Sequence, residues 1–420
     1  MKITILTSGT LGDTQPYIAL GIELKKLGYT ILIAAQENFG DLITKRGVEF
    51  YPIKGDMTKV MESDTAKEAM NADSSRKFYK SLDNERTIAQ WVDIHRGLYE
   101  ACKGTDAVIF HPAGVIGYFI AEHLNIPSIL AVPYPITPTK ERPALAFYGT
   151  VRIGKTLNFL TYKIIERAFW SFFSKSIKRF WMNEFCYVPK SFGCPFGKQG
   201  TKMLPTITSC SNFVFPRPKD WPEYAYNTGY WFLDEADWRP SDELLDFLNN
   251  GAPPVYVGFG SMVDASKAAQ MTEIIIDAIK ISKQRAILAA EWGGMTKVKN
   301  IPENILFLQS APHSWLFPRM AVVIHHGGAG TTAAGFKAGI PSVIIPFHTD
   351  QFAWGRRVYE LGVGSKPIPR KYLTAENLSE AILYALQDKI KEASKTLGLK
   401  IQSENGAKKA AEIVHNYLSR

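Results

Sequence analysis

The feature that most constrains this chain is a rhythm that occurs twice. Short apolar runs alternate with helix-spaced patterns, give way to a Pro- and Trp-rich stretch from about Phe215 to Pro254, and then begin again. In the first half the runs are Ile3 to Leu6, Ile31 to Ala34, Val48 to Ile53, Ala107 to Phe110 and Ile129 to Val132. A helix is expected from about Pro16 to Leu27, stopped by Gly28. In the second half the runs are Val255 to Val257, Ala286 to Ala289, Ile305 to Leu308, Val322 to Ile324 and Val343 to Ile345, with a helix over roughly Ala265 to Ile281. Strands alternating with helices predict parallel sheets covered on both faces. A length of 420 residues is also too great for one core. The expectation is an α/β protein with two doubly wound, Rossmann-like domains over 1–235 and 236–400, joined near Tyr230 to Pro240. Ligands of such sheets sit at the carboxyl ends of the strands. Two facing domains would put the site in the cleft between them.

Composition narrows the partners. The chain is 46% hydrophobic and 21% charged, which describes a folded protein. No uncharged apolar run reaches the roughly 18 residues of a membrane span. The opening residues read as a strand closed by Gly9 and Gly12, so no signal peptide is expected. Cys102, Cys186, Cys194 and Cys210 show neither close pairing nor metal spacing, which fits reduced thiols in a cytoplasm. A net charge of +9 suits nucleic acid, an anionic membrane or an acidic substrate. No nucleic-acid module is recognisable, so nucleic acid is not an expected partner. The segment 152–181 interleaves Lys and Arg with Leu, Ile, Phe and Trp. It suits either an amphipathic helix pair at a membrane surface or, as the commoner case, a helix packed on the first domain with its lysines solvated.

Chemistry concentrates in four places. His325-His326-Gly327-Gly328-Ala329-Gly330-Thr331-Thr332 follows a predicted strand and opens a predicted helix. Small residues let the backbone approach a ligand, and free N–H groups at the helix start favour a diphosphate. Thr331 and Thr332 add hydroxyls, and His326 can donate to a phosphate oxygen. About twenty residues on, Asp350 and Gln351 offer a carboxylate beside an amide, a pair that binds vicinal sugar hydroxyls or, more plainly, caps a helix. Gly258-Phe259-Gly260-Ser261 ends the first strand of the second half and can reach phosphates from the other side. In the first half, Asp13 lies between strand one and helix one, either as an N-cap or as a general base. No Asp-x-Asp motif or metal-ligand cluster is present, so a metal is not expected to be required.

Together these residues resemble a known family. Gly12 to Gly21, Pro312 to Pro318 running into the His-His-Gly-Gly-Ala-Gly-Thr-Thr loop, Pro346 to Gln351, Trp354 to Val358 and Leu361 to Gly364 are similar to the sterol glucosyltransferase branch of the family 1 glycosyltransferases. The similarity covers nearly the whole chain and is weakest over 71–90 and 144–212. It implies the GT-B fold and transfer of a hexose, glucose from UDP-glucose first, to a hydroxyl of an apolar sterol or terpenoid with inversion. Many relatives carry a histidine as the base where this chain has Asp13. The resemblance further implies that His326, Gly328, Gly330, Thr331, Thr332 and Ser261 hold the diphosphate. Asp350 and Gln351 would hold the sugar, and Ala311 and His313 would line the nucleobase. Plant relatives stack a tryptophan near Ser310; here Trp292 would contribute instead, or anchor its loop. His111, Tyr134 and Phe147 are the acceptor candidates, all expected from the first domain. Family members end in a helix that crosses back to that domain, here over 401–420. Transfer to polyketide- or flavonoid-like products, and a non-catalytic nucleotide-sugar-binding partner, are the alternatives. A phosphorylase would need a pyridoxal lysine that is not recognisable here.

Overall fold

The computed structural model describes residues 1–54, 84–151, 153–234, 238–260, 265–290, 301–347 and 349–420. The chain divides into two compact units. The first comprises Met1–Ala144, Ile153–Leu233 and Glu404–Arg420; the second comprises Leu145–Arg152 and Asp234–Ser403.

Unit 1 is built on a seven-stranded sheet of order β3-β2-β1-β4-β5-β6-β7, parallel throughout. Its strands are β1 (Lys2–Leu6), β2 (Thr30–Gln36), β3 (Glu49–Ile53), β4 (Ala107–Phe110), β5 (Ser128–Val132), β6 (Thr206–Thr208) and β7 (Ala225–Asn227). The first five coincide with the apolar runs; β1, β2, β4 and β5 do so because a central parallel strand is buried on both faces and needs no polar alternation, whereas β3 is the edge strand and buries only Ile53. The last two have no such run. They are three residues long and two of the three β6 residues are threonine, too short for a pattern to register. One face is covered by α1 (Leu11–Lys26), α2 (Gly40–Thr44) and a C-terminal helix, and the other by α3 (Glu85–Ala101), α4 (Ile116–Leu124) and the long α6 (Lys155–Phe185). The C-terminal helix, Gly406–Leu418, sets Ala410, Ala411 and Val414 into the core beside Ile3, Ile5 and Tyr17 of unit 1.

Three expectations need correction here. Helix α1 begins at Leu11, not near Pro16: Thr10 is its N-cap, and Pro16 is its sixth residue. Pro16 therefore sits in the second turn, where its missing N–H forgoes the bond to the Gly12 carbonyl. Segment 155–185 is one continuous 31-residue helix rather than a pair. The short helix α5 (Leu145–Tyr148), with Phe147, belongs to unit 2 and not to the first domain.

Unit 2 carries a five-stranded parallel sheet of order β10-β9-β8-β11-β12. The strands are β8 (Val255–Gly258), β9 (Ala286–Ala289), β10 (Ile305–Leu308), β11 (Val322–His325) and β12 (Ser342–Ile344). Helices α8 (Ala265–Ser282) and α12 (Ala375–Ala385) pack one face; α7 (Asp242–Asn249), α9 (His313–Leu316) and α10 (Ala329–Ala338) pack the other. Helices α11 (Thr349–Glu360) and α13 (Asp388–Gln402) complete the unit, and the C-terminal helix of unit 1 is α14.

Candidate active site

Strand order in unit 1 reverses between β1 and β4, the place where a doubly wound sheet opens a crevice for ligands. Asp13 stands just beyond β1 and His111 directly after β4. Asp13 is the third residue of α1. The backbone N–H of Thr10 donates to its Oδ2 at 2.8 Å and the Thr10 hydroxyl donates to the same oxygen at 3.0 Å. His111 Nε2 lies 3.4 Å from the other oxygen, Oδ1. The Ala113 N–H donates to His111 Nδ1 at 3.1 Å. That bond places the ring proton on Nε2, facing the carboxylate. Burial pushes the Asp13 carboxyl up, but the hydrogen bond and field of His111 and the two bonds from Thr10 outweigh it and hold it below the usual value. Asp13 is therefore a carboxylate at neutral pH, and its side chain keeps 30% of its surface open while His111 keeps 10%.

The loop that holds Asp13 is fixed by β2. The Gly9 N–H donates to Gln36 Oε1 at 3.4 Å, and Gln36 Nε2 donates to Ser8 Oγ at 3.0 Å. Gly9 has φ +140°, and a Cβ there would lie 2.3 Å from Asp13 Oδ2. Glycine is needed both for the turn and for the carboxylate's space. Tyr17 packs edge-on to His111 at 5.6 Å and donates its hydroxyl to the Ala131 carbonyl at 2.6 Å. Burial, then the charge of Asp13 and the neighbouring Tyr134, hold that hydroxyl well above its ordinary value, so it stays a phenol. Unit 1 thus gathers Asp13, His111, Tyr17 and Tyr134 at the ends of β1, β4 and β5.

Phe147 is not among them. The Gly149 backbone packs on Phe352 of α11, where a Cβ would meet its carbonyl carbon at 2.4 Å. The Tyr148 hydroxyl donates to Glu360, and the Arg356 guanidinium covers the Tyr148 ring at 4.5 Å. The segment around Phe147 is tied to the helix that carries Asp350 and Gln351.

Strand order in unit 2 reverses between β8 and β11, and the glycine-rich loop leaves β11 at that point. Its two histidines differ. His325 is fully buried, accepts the Gly327 N–H at Nδ1 (3.1 Å), and is kept neutral by burial and by the fields of His326 and His313. His326 is half-buried and lies nearly parallel to the Phe347 ring at 6.5 Å. A Cβ on Gly328 would strike His326 Nε2 at 2.6 Å, so glycine is what lets the imidazole lie over the helix start. Gly328 is the N-cap of α10 and supplies no side-chain cap, which leaves the first N–H groups for a ligand. Gly330 is exposed, with open space where a Cβ would be, and Thr331 is half-buried beside it. Thr332 is buried, and its hydroxyl donates to the Gly328 carbonyl at 2.8 Å. That hydroxyl serves the helix turn.

Gly327 (φ +92°) closes against α11: a Cβ would lie 3.0 Å from the Gln351 carbonyl oxygen. The two motifs therefore abut. The Phe347 N–H donates to Gln351 Oε1 at 2.7 Å, and Trp354 Nε1 donates to Asp350 Oδ2 at 3.3 Å. Both side chains are thus held in fixed rotamers. His313 stacks on Phe317 at 4.3 Å, and burial pushes its ring down to about 4, so it is a neutral ring next to Ala311 and Pro312. Ser261 and Trp292 lie outside the described residues. The sequence reading missed Arg370. Its N–H donates to the Pro346 carbonyl at 3.3 Å and its guanidinium covers Phe347 at 5.0 Å, next to His326. No local pattern marks it, because the chain returns to Phe347 only after α11.

Comparison with known proteins agrees with this architecture. Residues 3–143 match the glycosyltransferase family 28 N-terminal domain, and residues 273–418 match the erythromycin biosynthesis protein CIII-like C-terminal domain. A sterol 3-beta-glucosyltransferase of Arabidopsis thaliana is 33% identical across 100% of this chain and 68% of its own length. A sterol 3-beta-glucosyltransferase of Neurospora crassa is 35% identical across 100% of this chain, which spans only 27% of that protein. The crystal structure of the glycotransferase of kitacinnamycin superposes with a TM-score of 0.73 over 99% of both chains, at 17% identity. The chain belongs to the GT-B glycosyltransferases, in the family that includes the sterol 3-beta-glucosyltransferases.

Proposed function

We propose that the chain moves a hexose, glucose from UDP-glucose in the first instance, to a hydroxyl of an apolar acceptor of the sterol or terpenoid class, with inversion and with Asp13 as general base. The observation that carries this reading is the carboxylate at the β1/β4 reversal, charged at neutral pH and held by Thr10 on one oxygen and His111 on the other. The acceptor oxygen attacks the anomeric carbon while its proton passes to Asp13. The bond from that carbon to the phosphate oxygen breaks, and the electron pair leaves with the nucleoside diphosphate. His111 acts by position, holding the carboxylate's orientation with its Nε2–H.

In unit 2 the leaving diphosphate would meet the first N–H groups of α10, His326 and the Thr331 hydroxyl, groups already aimed before charge develops. Arg370 adds a cation beside them. Thr332, whose hydroxyl is spent on Gly328, is left out of that set. Asp350 and Gln351 would take the sugar hydroxyls, and the neutral His313 would lie along the base. The half-buried Tyr134 would give the acceptor side of Asp13 an apolar wall, while the fully buried Tyr17 packs behind His111.

The test is a transfer assay with UDP-glucose against a sterol and a flavonoid acceptor, in the parent and in Asp13→Asn. A sterol glucoside is expected, with turnover in the variant down by at least about a hundredfold and UDP affinity retained. Unchanged turnover in the variant removes Asp13 from the mechanism. Exclusive use of the flavonoid moves the acceptor class, and UDP binding without transfer to any acceptor leaves a non-catalytic partner.

A further inference from the structure

Strand β11 begins with Val322, Val323 and Ile324, buried and apolar as an inner parallel strand requires. Its last residue is His325, also fully buried. The His325 Nδ1 accepts the Gly327 N–H at 3.1 Å, so the ring proton stands on Nε2. That Nε2 is shielded from solvent and has no hydrogen-bond partner among the described residues. A buried, unpaired N–H is costly to a fold, and an aliphatic side chain would fill the same place without that cost. Stability therefore does not account for a histidine here. What an aliphatic side chain cannot supply is the acceptor for Gly327.

That acceptor matters because Gly327 is wedged in place. It turns at φ +92°, and a Cβ on it would lie 2.8 Å from Ile344 Cγ2 at the end of β12 and 3.0 Å from the Gln351 carbonyl oxygen at the start of α11. Backbone bonds fix the chain on either side. The Ile345 N–H donates to the His325 carbonyl at 2.9 Å, and the Thr332 N–H donates to the Gly328 carbonyl at 2.9 Å. Between those anchors the imidazole holds the His326–Gly327 peptide. Rotation of that peptide would turn the His326 side chain and swing Gly328, the N-cap of α10, so that the first N–H groups of the helix point elsewhere. The clamp needs the Nδ1 lone pair. Burial first, then the fields of His326 and His313, hold the His325 pKa well below the ordinary histidine value, so the lone pair is present at neutral pH.

We propose that His325 is a positioning residue for the donor diphosphate: its imidazole clamps the His326–Gly327 peptide and so aims the His326 ring and the first N–H groups of α10 at the ligand. It touches no substrate itself. The inference rests on the reading of the glycine-rich loop as a diphosphate cradle and deepens it, assigning the shape of the loop to a side chain buried behind it. Asparagine can do the same work, since its Oδ1 accepts the N–H two residues on in an Asx-turn. Leucine and valine cannot.

The test measures UDP binding by calorimetry, together with the thermal midpoint, in the full chain and in its His325→Asn and His325→Leu variants. In His325→Leu the Kd for UDP should rise at least about tenfold, the scale of one lost hydrogen bond to a charged ligand. In His325→Asn it should stay within about threefold of the parent. The donor KM should follow the Kd, with kcat at saturating donor changed less. Stability should run the other way, with the leucine variant melting no lower than the asparagine one. A histidine that only fills the core would give leucine the advantage in affinity as well. The inference is overturned if the folded leucine variant binds UDP as the parent does, or if asparagine weakens binding as much as leucine. Should His325→Leu not fold, His325→Val, which matches its neighbours on β11, makes the same comparison. A parent that binds no UDP removes the cradle reading itself, and this role with it.

Discussion

The two strand-order reversals, β1/β4 in unit 1 and β8/β11 in unit 2, place the proposed functional groups by the same topological rule but build them from different material. At β1/β4 the proposed working groups are side chains from distant parts of the chain: Asp13 from α1, His111 after β4, and Thr10 and Tyr17 packed around them. At β8/β11 they are mostly backbone: a run of small residues, an uncapped helix start, and one imidazole laid over a glycine. The first kind is specific and fragile, since each group depends on another's rotamer. The second is local and robust, since a short stretch of chain carries its own geometry. The proposed transfer uses both kinds, a positioned base and a general anion cradle.

That contrast can be broken in order of expected effect. Replacing His326 by Ala removes one hydrogen bond to a charged ligand, about 1.5–3 kcal/mol, so UDP should bind at least about tenfold more weakly by calorimetry. Turnover at saturating donor should change less than affinity does. If affinity is unaltered, the cradle is backbone alone.

Gly9→Ala strikes the other site. The new Cβ must share space with Asp13 Oδ2 and hold φ +140°, which costs about 1–3 kcal/mol. A lower thermal midpoint and a lower kcat are expected with UDP affinity unchanged. A kcat equal to the parent's would mean that the carboxylate's placement does not matter.

His111→Phe is a smaller and sharper change. His111 lowers the Asp13 carboxyl by its hydrogen bond and field, so without it the carboxyl rises. In the proposed mechanism the carboxylate is the active form, and activity is lost as pH falls through its pKa. The acid limb of kcat/KM should therefore move to higher pH. A limb that stays in place would show that His111 is a core residue only.

The smallest effect compares two capping threonines. Thr374 accepts the Asn377 N–H at 3.2 Å and serves only the start of α12, whereas the Thr10 hydroxyl donates to Asp13. Thr374→Ala should cost about 1 kcal/mol of stability, the usual worth of a cap, with kinetics unchanged. Thr10→Ala should in addition move the acid limb upward. Identical kinetic profiles in the two variants would reduce Thr10 to an ordinary cap.

Much of this was legible in the residues. The runs at Ile3, Ile31, Ala107, Ile129, Val255, Ala286 and Val322 could be read as strands because a buried parallel strand is apolar on both sides, a property of consecutive residues. The loop from His325 to Thr331 could be read for the same reason: a strand end, three glycines and a helix start are neighbours in sequence and in space. The short β6 and β7 escaped because three residues carry no period. Pro16 misled the placement of α1, since proline favours a first turn yet is tolerated one turn later when Thr10 and Asp13 fix the start.

The sequence by itself determined the parallel sheets and the glycine-rich cradle, because backbone dihedrals, capping and apolar runs act over a few residues. Only the tertiary structure decided that His111 meets Asp13, that Arg370 returns to Phe347, that Phe147 packs with unit 2, and that the first turns of α6 show their leucines outward. Those outcomes depend on which distant surfaces meet when the sheets close. No short-range preference of Asp13, Arg370, Phe147 or Leu157 records that.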